Sequence, residues 1–195
     1  MRLLIATTNA GKLREIRGIL DGLALDVRSL ADVGSVVEPE ETGRTFEENA
    51  RQKALYYSDA LGGPVVAEDS GLEIDALDRA PGIYSARFGS DQAVTYPEKF
   101  ALIYRMLRER RGRVESTARF VCALALVDDR RVVFEARGTV EGYIVEPPRG
   151  SGGFGYDPIF FYPPFAATLA ELDAARKAAV SHRGAAFRQL REFLA

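Results

Sequence analysis

Residues 3–20 read LLIATTNAGKLREIRGIL, and the fold class turns on how they are read. The apolar start, LLIA, has the length of a short buried strand, after which Leu13, Ile16, Ile19 and Leu20 recur at helical spacing. A strand, a polar turn and a helix in succession open an α/β unit. The turn, Thr7, Thr8, Asn9, Ala10, Gly11 and Lys12, runs from the end of a strand into a helix N-terminus, where backbone amides suit a phosphate and Lys12 adds a point charge. It lacks the extra glycines of a Walker loop, and an ordinary helix capped by Asn9 is its other reading.

Outward from this unit the alternation continues. LALDV (23–27) reads as a second strand, and the acid-, Gly- and Pro-bearing stretch from Val33 to Gly43 as a loop. Thr45 and Glu48 form a capping box for a helix whose Phe46, Ala50, Ala54, Tyr57 and Leu61 share one face. Next comes VVAEDSGL (65–72), a strand that ends on two adjacent acids, Glu68 and Asp69. A helix from about Pro97 turns Phe100, Ile103, Tyr104 and Leu107 inward, and ARFVCALALV (118–127) is apolar on both faces, as a central strand is. A turn at Asp128-Asp129 leads to an antiparallel partner, RVVFEARGTV. A Gly/Pro-rich loop (146–164) and two helices follow, one from a Thr168/Glu171 capping box and one from Ser181. The expectation is a mixed α/β sheet with helices around it, in one domain spanning residues 1–195.

Composition narrows the function classes. A net charge of −2 argues against nucleic-acid binding by bulk electrostatics, and the one basic run, Arg105 to Arg113, falls at a helix C-terminus where cations suit the dipole. No stretch approaches the ~20 apolar residues of a membrane span. The single cysteine, Cys122, cannot form an internal disulfide and reads as a small core residue of a reducing compartment, so a cytoplasmic protein is expected.

Besides the Thr7–Lys12 turn, four groups of residues carry candidate chemistry. Carboxylates at Glu68 and Asp69, with Glu38, Glu40 and Glu41 in the preceding loop, can hold a hard cation such as magnesium, whose remaining positions go to water and phosphate. The alternative for Glu68 and Asp69 is a solvated acid followed by a turn cap. Lys53 lies on the apolar face of its helix, where it either snorkels or reaches a buried anion. In GSGGFGYDP (150–158) the glycines allow close ligand approach; Phe154 and Tyr156 either sandwich a planar base, with Asp157 accepting from a ring N–H, or pack on the core. His182 and Arg183 place cations in the first turn of the last helix, against the dipole, which an anionic or polar ligand would explain; Lys177 points the same way.

TTNAGK (7–12), EETGRTFEENARQKA (40–54), AEDSGL (67–72), APGIYSARF (80–88), GGFGYDPIF (152–160) and SHRG (181–184) together resemble the inosine triphosphate pyrophosphatase family. The resemblance implies an elongated two-lobed α/β fold with a central cleft, homodimerisation and dependence on magnesium. It implies hydrolysis of non-standard purine nucleoside triphosphates (ITP, dITP, XTP) to the monophosphate and pyrophosphate. Carried over by position, Thr7 to Lys12 would bind the triphosphate, Lys53 and Lys177 would contact phosphates and Ser70 the substrate. Phe154, Gly155, Tyr156 and Asp157 would bind the base, and His182 with Arg183 the purine edge. Asp69 would be general base and metal ligand, and Glu40 a second metal ligand, with Glu41 a near-equal candidate. A pyrophosphatase for modified pyrimidine nucleotides and a non-hydrolysing nucleotide sensor are the competing readings.

Overall fold

A computed structural model describes residues 1–34, 36–91 and 93–195. Residue 35, within the expected 33–43 loop, lies outside them. The chain forms a mixed seven-stranded sheet in the order β2-β1-β3-β4-β5-β6-β7. The strands are β1 (Arg2–Ile5), β2 (Asp26–Ser29), β3 (Val65–Ile74), β4 (Ser116–Asp128), β5 (Arg131–Ile144), β6 (Phe160–Tyr162) and β7 (Ala167–Thr168). The helices are α1 (Ala10–Leu20), α2 (Leu30–Val33), α3 (Phe46–Leu61), α4 (Tyr96–Arg111), α5 (Ala174–Val180) and α6 (His182–Leu194). Among the described residues no helix is long and apolar enough to cross a membrane.

The chain divides into two compact units. The first comprises Met1–Ser70, Cys122–Thr139 and Ser181–Ala195, the second Gly71–Val121 and Val140–Val180. In unit 1, β1 pairs in parallel with β2 and with β3. Its core gathers Leu3, Ile5, Ile16, Leu20, Val66, Leu124, Phe187 and Leu190, so the helical stripe read in α1 meets α6. In unit 2, Phe100, Ile103, Tyr104 and Leu107 of α4 pack with Leu72, Ile74, Phe120, Ile144 and Phe160, as their spacing predicts.

Besides β3, and β6 within the expected 146–164 loop, three elements depart from expectation. β2 begins at Asp26 rather than Leu23, because register is set by β1: Arg2 faces Asp26, while Leu23 and Leu25 pack against the unit 1 core ahead of the strand. The Thr168/Glu171 capping box starts only a single 3-10 turn; Leu172 is extended, and Asp173 caps α5 anew by accepting from the Arg176 amide at 2.8 Å. The β4–β5 turn is Asp129-Arg130, one residue later than expected, both with positive φ (50° and 62°), the twist a two-residue antiparallel hairpin requires.

The most consequential difference lies in β3. Ser70-Gly71 reads as a turn signal, yet the strand runs unbroken through Glu68, Asp69, Ser70 and Gly71 to Ile74. Its pairing with β1 ends at Ile5↔Val66. The two acids therefore stand mid-strand, just beyond the carboxyl end of β1, where the chain of β1 turns into Thr7–Lys12 and α1.

Candidate functional site

Successive side chains of a strand point to opposite faces. Glu68 and Asp69 thus point to opposite faces, and their mutual repulsion is offset by different cations, Lys12 and Arg183 for Glu68 and Lys53 for Asp69.

Glu68 shares its face with Ser70. Its Oε1 lies 2.7 Å from Lys12 Nζ and 3.3 Å from Arg183 Nη2, and its Oε2 accepts from Cys122 Sγ at 3.0 Å. Ser70 Oγ contacts the same two cations, at 3.4 Å from Lys12 and 3.1 Å from Arg183. Burial opposes the charge on Glu68, but Arg183 and Lys12 outweigh it and hold this carboxyl well below its usual range. Arg183, 1% exposed, also donates to Glu15 Oε2 at 3.0 Å. The Ser181 hydroxyl donates to the other oxygen of Glu15, and Ser181 Oγ caps α6 by accepting from the Gly184 amide at 2.9 Å. Gly138 of β5 is required here, since a Cβ would come within 2.1 Å of the His182 carbonyl oxygen. His182 is buried beside Arg183 at the start of α6.

Asp69 faces α3. Its Oδ2 accepts from Asn49 Nδ2 at 2.9 Å, its Oδ1 accepts from the Ser70 amide at 2.9 Å, and Lys53 Nζ stands 3.9 Å from Oδ1. Burial raises the Asp69 pKa; Lys53 and Asn49 oppose that, while Glu41 and Glu68 add to it. Lys53 neither snorkels nor stands alone: it donates to Glu41 Oε1 at 2.7 Å. Burial disfavours its charge, but Asp69 and Glu41 more than compensate and raise its pKa.

Lys53 thereby ties Glu41 and Asp69 to one position. Glu40, by contrast, is exposed and lacks these contacts. The donor set fits a hard divalent cation: two carboxylates are as many as magnesium ordinarily takes from a protein. Among the described residues no cluster of three or more His, Cys, Asp or Glu is arranged for a metal, so any such ion draws the rest of its shell from water and substrate.

The α1 turn is organised by Asn9, whose Oδ1 accepts from the Gly11 and Lys12 amides at 2.9 and 3.1 Å. Thr7 Oγ1 accepts from the Asn9 amide at 3.2 Å, and Thr8 and Ala10 are exposed. The Gly11 and Lys12 amides are thus already engaged by the cap, and Lys12 is the charged group that the turn projects onto β3.

Unit 2 holds the second group. The Phe154 amide donates to Asp157 Oδ2 at 2.7 Å, and Lys177 Nζ pairs with the same oxygen at 2.5 Å. That ammonium lies 4.2 Å from the centre of the Phe154 ring. Gly153 (φ 70°) must be glycine, because a Cβ would sit 2.2 Å from Asp157 Oδ2. Tyr156 does not sandwich a ligand: it is 3% exposed, donates to the Ser85 carbonyl at 2.8 Å and packs edge-on against Tyr96, leaving the half-buried Phe154 as the accessible ring. Gly155 lies beside Tyr96.

The structure thus brings together Lys12, Glu68, Ser70 and Arg183, then Glu41, Lys53 and Asp69, and in unit 2 Phe154, Asp157 and Lys177. Sequence reading missed Glu15 and Asn49 and took Cys122 as plain core. A signal existed for Asn49, which lies three residues after Phe46 on the apolar face that drew attention to Lys53. None existed for Glu15 or Cys122, whose partners are remote in sequence.

Fold and site define a mixed α/β protein that couples lysines to buried carboxylates around the β1–α1 turn and β3. The Ham1 family model matches residues 3–193, and the chain belongs to that family. A protein of Exiguobacterium sp. named dITP/XTP pyrophosphatase is 47% identical over 190 residues, covering 97% of this chain and 95% of its own. One of Geobacter sulfurreducens with the same name is 46% identical, covering 99% and 96%. Among solved structures, a HAM1 protein from Coxiella burnetii superposes with a TM-score of 0.91 at 38% identity, covering 100% of this chain and 98% of that one.

Proposed function

We propose that this chain is a single-domain, magnesium-dependent pyrophosphatase of the cytoplasmic nucleotide pool. It would hydrolyse non-standard purine nucleoside triphosphates (ITP, dITP, XTP) to the monophosphate and pyrophosphate, and work as a homodimer. The relatives named dITP/XTP pyrophosphatase support the substrate class. The observation that carries the chemistry is the contrast between neighbouring acids: Glu68 is enclosed by Lys12 and Arg183 at 2.7 and 3.3 Å, whereas Lys53 stands 3.9 Å from Asp69 and pairs more closely with Glu41, at 2.7 Å.

In this reading Asp69 accepts a proton from water as the water oxygen bonds to the α-phosphorus. The bond from that phosphorus to the α,β-bridging oxygen breaks, and pyrophosphate leaves with the electron pair. Lys12 and Lys53 offset the negative charge of the phosphates, and Ser70 orients the substrate beside them. Magnesium, held by Asp69 and Glu41, would neutralise phosphate charge during this step. Phe154 stacks on the base, and Lys177, expected at a phosphate, is proposed for the base rim instead because it pairs with Asp157 over that ring, so the two present a donor and an acceptor there. Inosine and xanthosine carry a keto acceptor at C6 where adenosine carries an amino donor, so donors at that edge disfavour ATP, with His182 and Arg183 assigned to it.

Product analysis with ITP, with and without magnesium, tests the reading. Pyrophosphate and IMP, formed only with the metal, are expected; orthophosphate release, or no turnover on any purine triphosphate, overturns it.

A further inference from the structure

Asn49 lies in α3 and is 0% exposed. Its amide is used at both ends. Nδ2 donates to Asp69 Oδ2 at 2.9 Å, and Oδ1 accepts from the Gly43 backbone N–H at 2.9 Å. These partners fix the amide orientation, since a carboxylate can only accept and a backbone N–H can only donate. The Gly43 end admits no side chain: a Cβ there would stand 2.5 Å from Asn49 Oδ1 and 2.9 Å from the Asn49 nitrogen. Gly43 follows Glu41 by two residues, and the Arg44 amide is held in turn by Glu48 Oε2 at 2.7 Å. The loop that carries Glu41 is therefore pinned to α3 by the same side chain that binds Asp69.

We infer that Asn49 is a positioning residue for the reaction. It occupies one oxygen of Asp69, leaves Oδ1 as the oxygen that faces Lys53, and sets the Glu41 loop against the same carboxylate. This rests on the reading of Asp69 as the catalytic base. The two ends of the amide can be separated chemically. Asn49→Asp keeps an acceptor for the Gly43 N–H and loses the donor to Asp69; Asn49→Ala loses both.

The test uses the full chain, with steady-state kinetics on ITP, thermal melting, and mass-spectrometric timing of the tryptic cut after Arg44. Asn49→Asp is expected to lower kcat at least about tenfold with KM changed less than about threefold. Its Arg44 site should resist trypsin as in the wild type, whereas Asn49→Ala should be cut there at least about fivefold faster through local opening of the loop. Wild-type kcat in a folded Asn49→Asp overturns the inference, as does equal cleavage in the two variants. If Asn49→Asp does not fold, Gly43→Ala, which displaces the amide from its other end, must show the kcat loss; wild-type kcat there overturns the inference equally. Asp69→Asn is assayed in parallel. Retained turnover in it removes the base itself, while an inactive Asp69→Asn beside a fully active Asn49→Asp removes only the role given to Asn49.

Discussion

Both units build their candidate site around a lysine–carboxylate pair, but in different surroundings. In unit 1, Lys53 serves Glu41 and Asp69 at 2.7 and 3.9 Å, while Lys12 and Arg183 converge on Glu68. Several like charges are packed at each point there, so the balance shifts readily when a proton, a phosphate or a cation arrives. In unit 2, Lys177 and Asp157 form a pair at 2.5 Å against the face of Phe154, whose amide donates to the same carboxylate oxygen. A neutral pair beside an aromatic ring suits a planar, uncharged group and offers little for moving protons. The same two residue types thus form a crowded charge cluster in unit 1 and a pair whose charges cancel in unit 2, which is the difference the proposed division between chemistry and recognition rests on.

That contrast can be broken most directly at Asp69. Asp69→Asn should lower kcat on ITP by about 10²–10⁴-fold while KM stays within about threefold. A variant with near-normal kcat would end the assignment of chemistry to unit 1. Next in size is Glu68→Gln, which leaves the buried Arg183 short of an anion and should cost about 3 kcal/mol in urea denaturation; an unchanged midpoint would mean that the Glu68 pairs contribute nothing net. In unit 2, Phe154→Ala should raise KM for ITP about tenfold through lost stacking, with kcat nearly unchanged. A fall in kcat instead would erase the division of labour.

The smallest effect concerns Asp75 of unit 2. The Thr117 hydroxyl at 2.6 Å lowers its pKa, burial works against this, and Arg119 assists. A lowered carboxyl contributes stability that is present above its unfolded value, about pH 4, and is lost as pH falls through the folded one. Asp75→Asn should therefore flatten the acid limb of stability against pH below about pH 4; an unaltered slope would show that Asp75 is not among its sources.

Where local chemistry and tertiary packing agree, the sequence was legible. Helix α3 starts and stops where Thr45 and Gly62 place it, and α4 buries the four residues its period nominates. The break expected after Asp69 failed because turn propensity at Ser70-Gly71 is weak against strand pairing in a sheet where β3 lies between β1 and β4. Strands β6 and β7, three and two residues long, carry no measurable period. In the site, Lys53 announced itself as a charge on an apolar stripe, but its choice of Glu41 over Glu40 depends on how a loop without period returns to α3. Tyr156 looked equivalent to Phe154 until Ser85 claimed its hydroxyl.

Unit 1 is assembled from three separated stretches, the last of them Ser181–Ala195. Ile16 and Leu20 wait for Phe187 and Leu190 to complete their packing, and Glu15 waits for Arg183. On the ribosome, the two stretches of unit 2, Gly71–Val121 and Val140–Val180, are complete while Glu15 and Glu68 of unit 1 still lack the Arg183 guanidinium. A nascent chain therefore holds Phe154, Asp157 and Lys177 before Glu15 and Glu68 meet Arg183, and truncation within α6 should abolish hydrolysis by leaving unit 1 unfinished.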